Sequence, residues 1–244
     1  MKILVCVSHV PDTTSKINFI DNGTKFDSNG VQFIIGPYDD YALARAIEIK
    51  EANAGTTVTV LNVGMADTEP TIRKALAIGA DDAIRVNAEP TDSFFVANQI
   101  AEHAKGYDLV LMGRESIDYN GGVVHAMVGE LLGIPSISPV MKLDLDGTMA
   151  KMSREIEGGK ESVEASLPLV AGCQEPIAEW KIPNMRGIMS ARTKPLKVVE
   201  PKATDVTVNV QKFELLAPKG AVKMISADNV AELVTRLKTE AKVL

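Results

Sequence analysis

Two cysteines, three histidines and one tryptophan among 244 residues leave little material for several kinds of chemistry. Cys6 and Cys173 lie far apart in apolar stretches, with no Cys-x-x-Cys pair and no Cys/His cluster. Neither a zinc site nor a disulfide framework is indicated, and both thiols read as buried in a reducing compartment. His9, His103 and His125 show no ligand spacing, so no metal site is expected. A P-loop, a Gly-x-Gly-x-x-Gly fingerprint and a Ser/His/Asp order are all missing. No run approaches the roughly 18 apolar residues of a membrane helix, and the opening apolar run is too short for a secretory leader. The expectation is a cytoplasmic chain without stable membrane insertion. Basic residues are outnumbered, 26 Lys and Arg against 32 Asp and Glu, for a net charge of -6. Nucleic acid, which wants a basic face, is therefore not an expected partner.

Hydrophobic residues make up 45% and charged ones 24% of the chain, ordinary for a folded protein with a real core. Residues 2–8 form a near-continuous apolar run, the mark of a strand covered on both faces. Residues 15–35 carry turn signals at Asp21-Asn-Gly and Ser28-Asn-Gly and read as an excursion from the main sheet. Pro37 suits the first turn of a helix, and Leu43, Ala46, Ile47 and Lys50 repeat along one helical face. Strands are expected at 58–63, 83–86 and 109–112, and helices at 68–78, 93–104 and about 122–132. This βαβα rhythm predicts an open, mainly parallel α/β sheet with helices on both faces, of the Rossmann-like nucleotide-binding type.

From about residue 137 the grammar changes. Runs at 140–145, 150–156 and 162–172, separated by Asp146-Gly and Gly158-Gly159, read as antiparallel hairpins appended to that sheet. Residues 1–191 are expected to form the α/β domain, and 192–244 a weakly patterned, extended C-terminal arm resting on another subunit. That arm ends in a helix capped near Ser226, with Val230, Leu233, Val234 and Leu237 on one face.

Three constellations could carry chemistry. In the first, a buried strand ends at Gly113 and a polar loop through Asp118 and Asn120 leads to Gly121, Gly122, Val123 and Val124 at a helix start. Backbone N–H groups there would grip a phosphate beyond the carboxyl ends of the strands; a plain strand–loop–helix connection is the competing reading. The loops after Cys6, through Ser8, and after Val63 reach the same edge, where backbone groups could read an adenine ring. In the second, Glu155 and Glu157 fall on one side of a strand, as acid–base carboxylates or solvated rim charges, and Arg154 faces away toward a ligand or an interface. In the third, Ile182-Pro-Asn-Met185 through Lys194 mixes methionine and arginine, as an adaptable contact surface or a basic linker.

In this order the pieces resemble the beta subunit of electron-transfer flavoproteins, from Met1 to about Pro201. The resemblance is carried by Lys2–Val7, Gly36–Ala46, Ile72–Asp81, Gly113–Asp118, Ile182-Pro-Asn184 and Gly187–Ala191. Arg154–Gly159 with Glu161 and Pro168 is the most specific piece. It implies a heterodimer whose alpha subunit holds most of an electron-carrying FAD, with Tyr38 and the Thr13 region of this chain on one side of the flavin. The resemblance places Ile182 as an apolar anchor for flavin dehydrogenases such as acyl-CoA dehydrogenases, flanked by Met185. Glu155 falls at an acidic position that regulates docking and flavin motion. It further implies AMP, or a second FAD in an electron-bifurcating form, in this subunit's own pocket. The chain departs from the family at Asn120-Gly-Gly-Val123, where a Gln-containing run is usual, and at Gly36, where Asn is frequent. An electron carrier rather than a bond-making enzyme is expected; a stand-alone stress-protein-like module binding ATP or AMP is the reading from another class.

Overall fold

A computed structural model describes all residues, Met1–Leu244. The chain opens with β1 (Lys2–Cys6), in which Ile3, Leu4 and Val5 have no exposed surface. Short strands follow: β2 (His9–Pro11), β3 (Phe19–Ile20), β4 (Lys25–Phe26) and β5 (Phe33–Ile35). The alternating part then runs α1 (Pro37–Ala52), β6 (Thr57–Val63), α2 (Glu69–Ile78), β7 (Asp82–Val86), α3 (Ser93–Ala104), β8 (Leu109–Gly113) and α4 (Val124–Leu132). The last part comprises β9 (Ser136–Asp146), β10 (Met149–Ile156), β11 (Gly159–Ser166), β12 (Leu169–Cys173), α5 (Met185–Ala191), β13 (Leu196–Val199) and α6 (Val230–Arg236).

Two compact units result, one of residues 1–17 and 27–211, the other of 18–26 and 212–244. The larger holds a nine-stranded sheet in the order β11-β10-β9-β12-β8-β1-β6-β7-β13. From β9 to β13 every neighbouring pair is parallel, and β10 pairs antiparallel with both β9 and β11. The α/β expectation is met, with helices on both faces. Period-two geometry divides β1 between them. Ile3 and Val5 join Leu43, Ile47, Ile72 and Leu76 under α1 and α2. Leu4 and Cys6 join Ile100, Val128 and Met112 under α3 and α4. Each such fully buried aliphatic side chain contributes about 1.5–3 kcal/mol, which fixes the register.

Several boundaries differ from the sequence reading. The run 162–172 is two strands, because Pro168 lacks the N–H that a continuous ladder requires. The second, β12, is wholly buried and lies between β9 and β8, parallel to both. It belongs to the main sheet rather than to an appended hairpin. Glu157 falls in the tight turn between β10 and β11, so Glu155 and Glu157 do not share a strand face. The helix expected from Gly122 begins at Val124, since Gly122 sits at φ 61. In the pattern-poor stretch after Pro176, α5 and the edge strand β13 are regular elements; seven and four residues are too few for a clear periodicity.

The smaller unit joins the β3–β4 hairpin to the C-terminal residues. Phe19 stacks on Phe213 at 4.9 Å, and the Phe213 N–H donates to the Gly23 carbonyl at 2.6 Å. Its helix is capped by Asn229, whose side chain accepts from Glu232 N at 3.2 Å, not by Ser226. Ser226 instead closes the preceding turn, its carbonyl accepting from Asn229 N at 3.0 Å. No helix of the protein is long and apolar enough to cross a membrane.

Candidate site at the carboxyl edge of the sheet

The strand order reverses between β1 and β8, and the loops leaving these two strands diverge there. Such a switch point leaves a crevice rimmed by backbone N–H groups, where open α/β sheets bind ligands. Here the donors nearest the crevice are already engaged. Asp39, in the first turn of α1, accepts from Ser8 N at 2.8 Å and Ser8 Oγ at 2.5 Å through one oxygen. Its other oxygen accepts from Gly113 N at 2.6 Å. Burial pushes the Asp39 carboxyl up to about 6, against the opposing effect of these hydrogen bonds. Gly36 is required for this arrangement, since a Cβ there would collide with Ser8 Oγ and stand 2.6 Å from the Asp39 carboxylate.

Tyr38, one residue before Asp39, lies under the Arg114 guanidinium at 4.9 Å. Arg114 donates to Gln174 Oε1 at 2.9 Å and Glu115 Oε1 at 2.8 Å, while its buried Nε has no partner. Gln174 Nε2 in turn donates to Glu155 Oε2 at 2.6 Å. A polar line thus runs along the edge from Tyr38 through Arg114 and Gln174 to Glu155, linking α1 to β10. Arg154 Nε pairs with Glu161 Oε2 at 2.5 Å, directly opposite in the hairpin register.

The Gly-rich loop adjoins this line. A Cβ on Gly122 would lie 3.9 Å from the Arg114 carbonyl and from Glu115 Oε2, and one on Gly121 would lie 3.6 Å from Ser93 Oγ. Asp118 is spent locally, accepting from Ser116 Oγ at 2.5 Å and Tyr119 N at 2.9 Å, and Asn120 adopts φ 51. The N–H groups of Gly121, Gly122, Val123 and Val124 have no protein acceptor, and no side chain caps α4. Four backbone donors therefore stand open at the positive end of a helix, the chemistry a phosphate needs. The residues present fit the phosphate end of a nucleotide through backbone donors.

Cys6 and Val63 reach the same edge, but both are buried and their backbones are taken up in the β1–β6–β7 ladders. Burial drives the thiols of Cys6 and Cys173 well above the ordinary range, so neither is a nucleophile. Beside them are buried polar groups, with atoms lacking a partner, that sequence reasoning missed. Asn62 donates to the Val7 carbonyl at 2.9 Å and keeps its buried Oδ1 without a partner. Arg85 donates to the Gly64 carbonyl at 2.9 Å and to Asn87 at 2.8 Å, with Nε unpartnered. The signal for both was a polar residue one position before the apolar end of a mostly apolar strand.

Ile182 and Met185 stand elsewhere in the same unit. They are 76% and 73% exposed and make no hydrogen bond or ring contact with the edge residues. Behind them, Pro183, Ile188, Ala191 and α2 residues line a cleft of about 520 Å³.

Comparison with known proteins gives this geometry its context. The family profile described as "Electron transfer flavoprotein domain" matches residues 23–204. The chain is 35% identical to "Electron transfer flavoprotein subunit beta" of Bacillus subtilis, over the full length of both. It is 32% identical to the protein of the same name from Bradyrhizobium diazoefficiens and 31% to the mitochondrial one of Arabidopsis thaliana, again over whole chains. An end-to-end match together with a nucleotide-type sheet edge leaves one assignment: the chain belongs to the electron transfer flavoprotein family, among its beta subunits.

Proposed function

We propose that this chain is the beta subunit of a heterodimeric electron carrier whose FAD is held mainly by an alpha subunit. In this reading FAD, when bound, supplies the reversible uptake of electrons, and this chain orients one side of it through Tyr38 and the Thr13 region. The chain's own pocket takes an adenine nucleotide, AMP or the corresponding half of a second FAD. The observation that carries this is the set of open N–H donors at Gly121–Val124 beside Arg114. The unpartnered Asn62 Oδ1 offers an acceptor at the same edge. Glu155, tied to Arg114 through Gln174, couples the interface side of the hairpin to this edge. Ile182 and Met185 dock flavin dehydrogenases. Residues of the smaller unit rest on the alpha subunit, a reading supported by Leu216, Val222 and Met224, which are 95%, 80% and 88% exposed.

The test is co-purification with the alpha subunit followed by release and identification of bound cofactors. One flavin and one AMP per heterodimer identifies the simple carrier; two flavins identify the bifurcating form. Gly122→Asp adds a negative charge and a side chain at φ 61, and it is expected to abolish the non-flavin nucleotide, or the second flavin. Normal nucleotide content in that variant removes the loop from the site.

A further inference from the structure

Arg73, Lys194 and Gly187 converge on one joint between α2 and α5. A helix of seven residues does not hold its own shape in water, and only Ala191 of α5 is buried. Its placement is set by α2. From α2, Arg73 Nη1 donates to the carbonyls of Ala191 at 2.9 Å and Lys194 at 2.8 Å. Glu69 Oε1 fixes the guanidinium, 3.2 Å from Nε and 3.1 Å from Nη2. In the other direction Lys194 Nζ donates to the carbonyls of Leu76 at 2.8 Å and Ala80 at 2.6 Å. Each helix thus receives a cation from the other's side at the end where unpaired carbonyls gather negative charge. Gly187 completes the joint: a Cβ there would collide with the Ala77 carbonyl oxygen, so the two backbones touch.

We propose that this reciprocal clamp, Arg73 on α5 and Lys194 on α2 with Gly187 between them, fixes the exposed Ile182–Met189 surface in the geometry that a flavin dehydrogenase binds. The inference rests on the docking reading above and adds positioning residues that need not touch the partner. Ile182, Met185 and Met189 are 76%, 73% and 68% exposed, so their placement depends mainly on where the backbone is held. A segment released from α2 would have to be ordered on docking, which raises the concentration needed for half-saturation and leaves the rate within the complex unchanged.

The experiment uses the heterodimer and an acyl-CoA dehydrogenase that reduces the unaltered heterodimer. Arg73→Met combined with Lys194→Met is expected to raise KM for the heterodimer about tenfold with kcat retained. Oxidation of the reduced heterodimer by a small dye is unchanged. Arg73→Lys, which keeps a cation for both carbonyls, restores most of the KM. Should the double variant fail to fold, Gly187→Ala pushes α5 off α2 with every clamping side chain in place, and it is expected to reproduce the KM increase. Unchanged KM in these variants, where Ile182→Ala does raise it, overturns the clamp. Unchanged KM in Ile182→Ala overturns the docking reading itself. A fall in kcat or in dye oxidation also overturns the clamp, because the damage then reaches the flavin.

Discussion

Asp39 shows how one buried carboxylate can tie two strand ends to the start of a helix. By accepting from Ser8 and Gly113 it engages the donors beside the switch point, and the N–H groups of Gly121–Val124 are the set left without a protein acceptor. Its carboxyl is raised to about 6 in the fold, first by burial, from about 3.9 in an unfolded chain. The folded state therefore binds the proton more tightly, and the Asp39 contribution to stability is present below pH 4 and is lost as pH rises through 6. Asp39→Asn removes this titration. The stability of the natural protein relative to the variant is expected to fall by on the order of 2 kcal/mol between pH 4 and 6.5. Urea unfolding of both proteins across that range measures it, and a pH-independent difference would contradict the reading.

Among the elements, α3 has a cap that serves two clients. The Asp92 side chain accepts from Phe95 N at 2.6 Å and, through its second oxygen, from Thr207 N at 2.5 Å and Val208 N at 2.9 Å. Burial works to raise this carboxyl, but the hydrogen bonds from Phe95, Val208 and Thr207 outweigh it and hold it near about 2. The stabilisation is present above the ordinary carboxylate range and is lost as pH falls from about 4 through about 2. Asp92→Ala is expected to cost about 1–2 kcal/mol and to free the stretch around Thr207. Faster amide exchange at Thr207 and Val208 than in the natural protein checks it. The Asp92 cap was not legible in the sequence beyond a favourable residue type, because its second client lies 115 residues away.

The molecule as a whole is built as two units, and the smaller draws on residues 18–26 as well as 212–244. The expected boundary at residue 192 took no account of β13, which completes the edge of the main sheet at Leu196–Val199, or of the Asp92 tether. A chain ending at Gln211 retains both. Such a truncation is expected to keep the thermal transition of the larger unit within a few degrees and to lose assembly with the alpha subunit. Analytical ultracentrifugation of the mixed subunits checks it, and a full-strength heterodimer would remove the smaller unit from the interface.

The periodicity of the first 132 residues was sufficient for the α/β class, because β1, β6 and β8 are covered on both faces and leave no apolar alternation for any other architecture. Gly79, Pro37 and the 93–104 pattern placed helix ends to within a residue or two, since capping is local chemistry. Gly121 and Gly122 marked the loop ahead of α4 for the same reason. Tertiary structure alone decided the rest. Whether β12 joins a hairpin or enters the parallel sheet depends on strands up to 60 residues away. That Asp39 joins Ser8 to Gly113, that Gln174 joins Arg114 to Glu155, and that Arg73 and Lys194 cap each other's helices are facts of long-range pairing. A linear pattern records which residues want burial or a partner, but not which partner the folded chain brings within 3 Å.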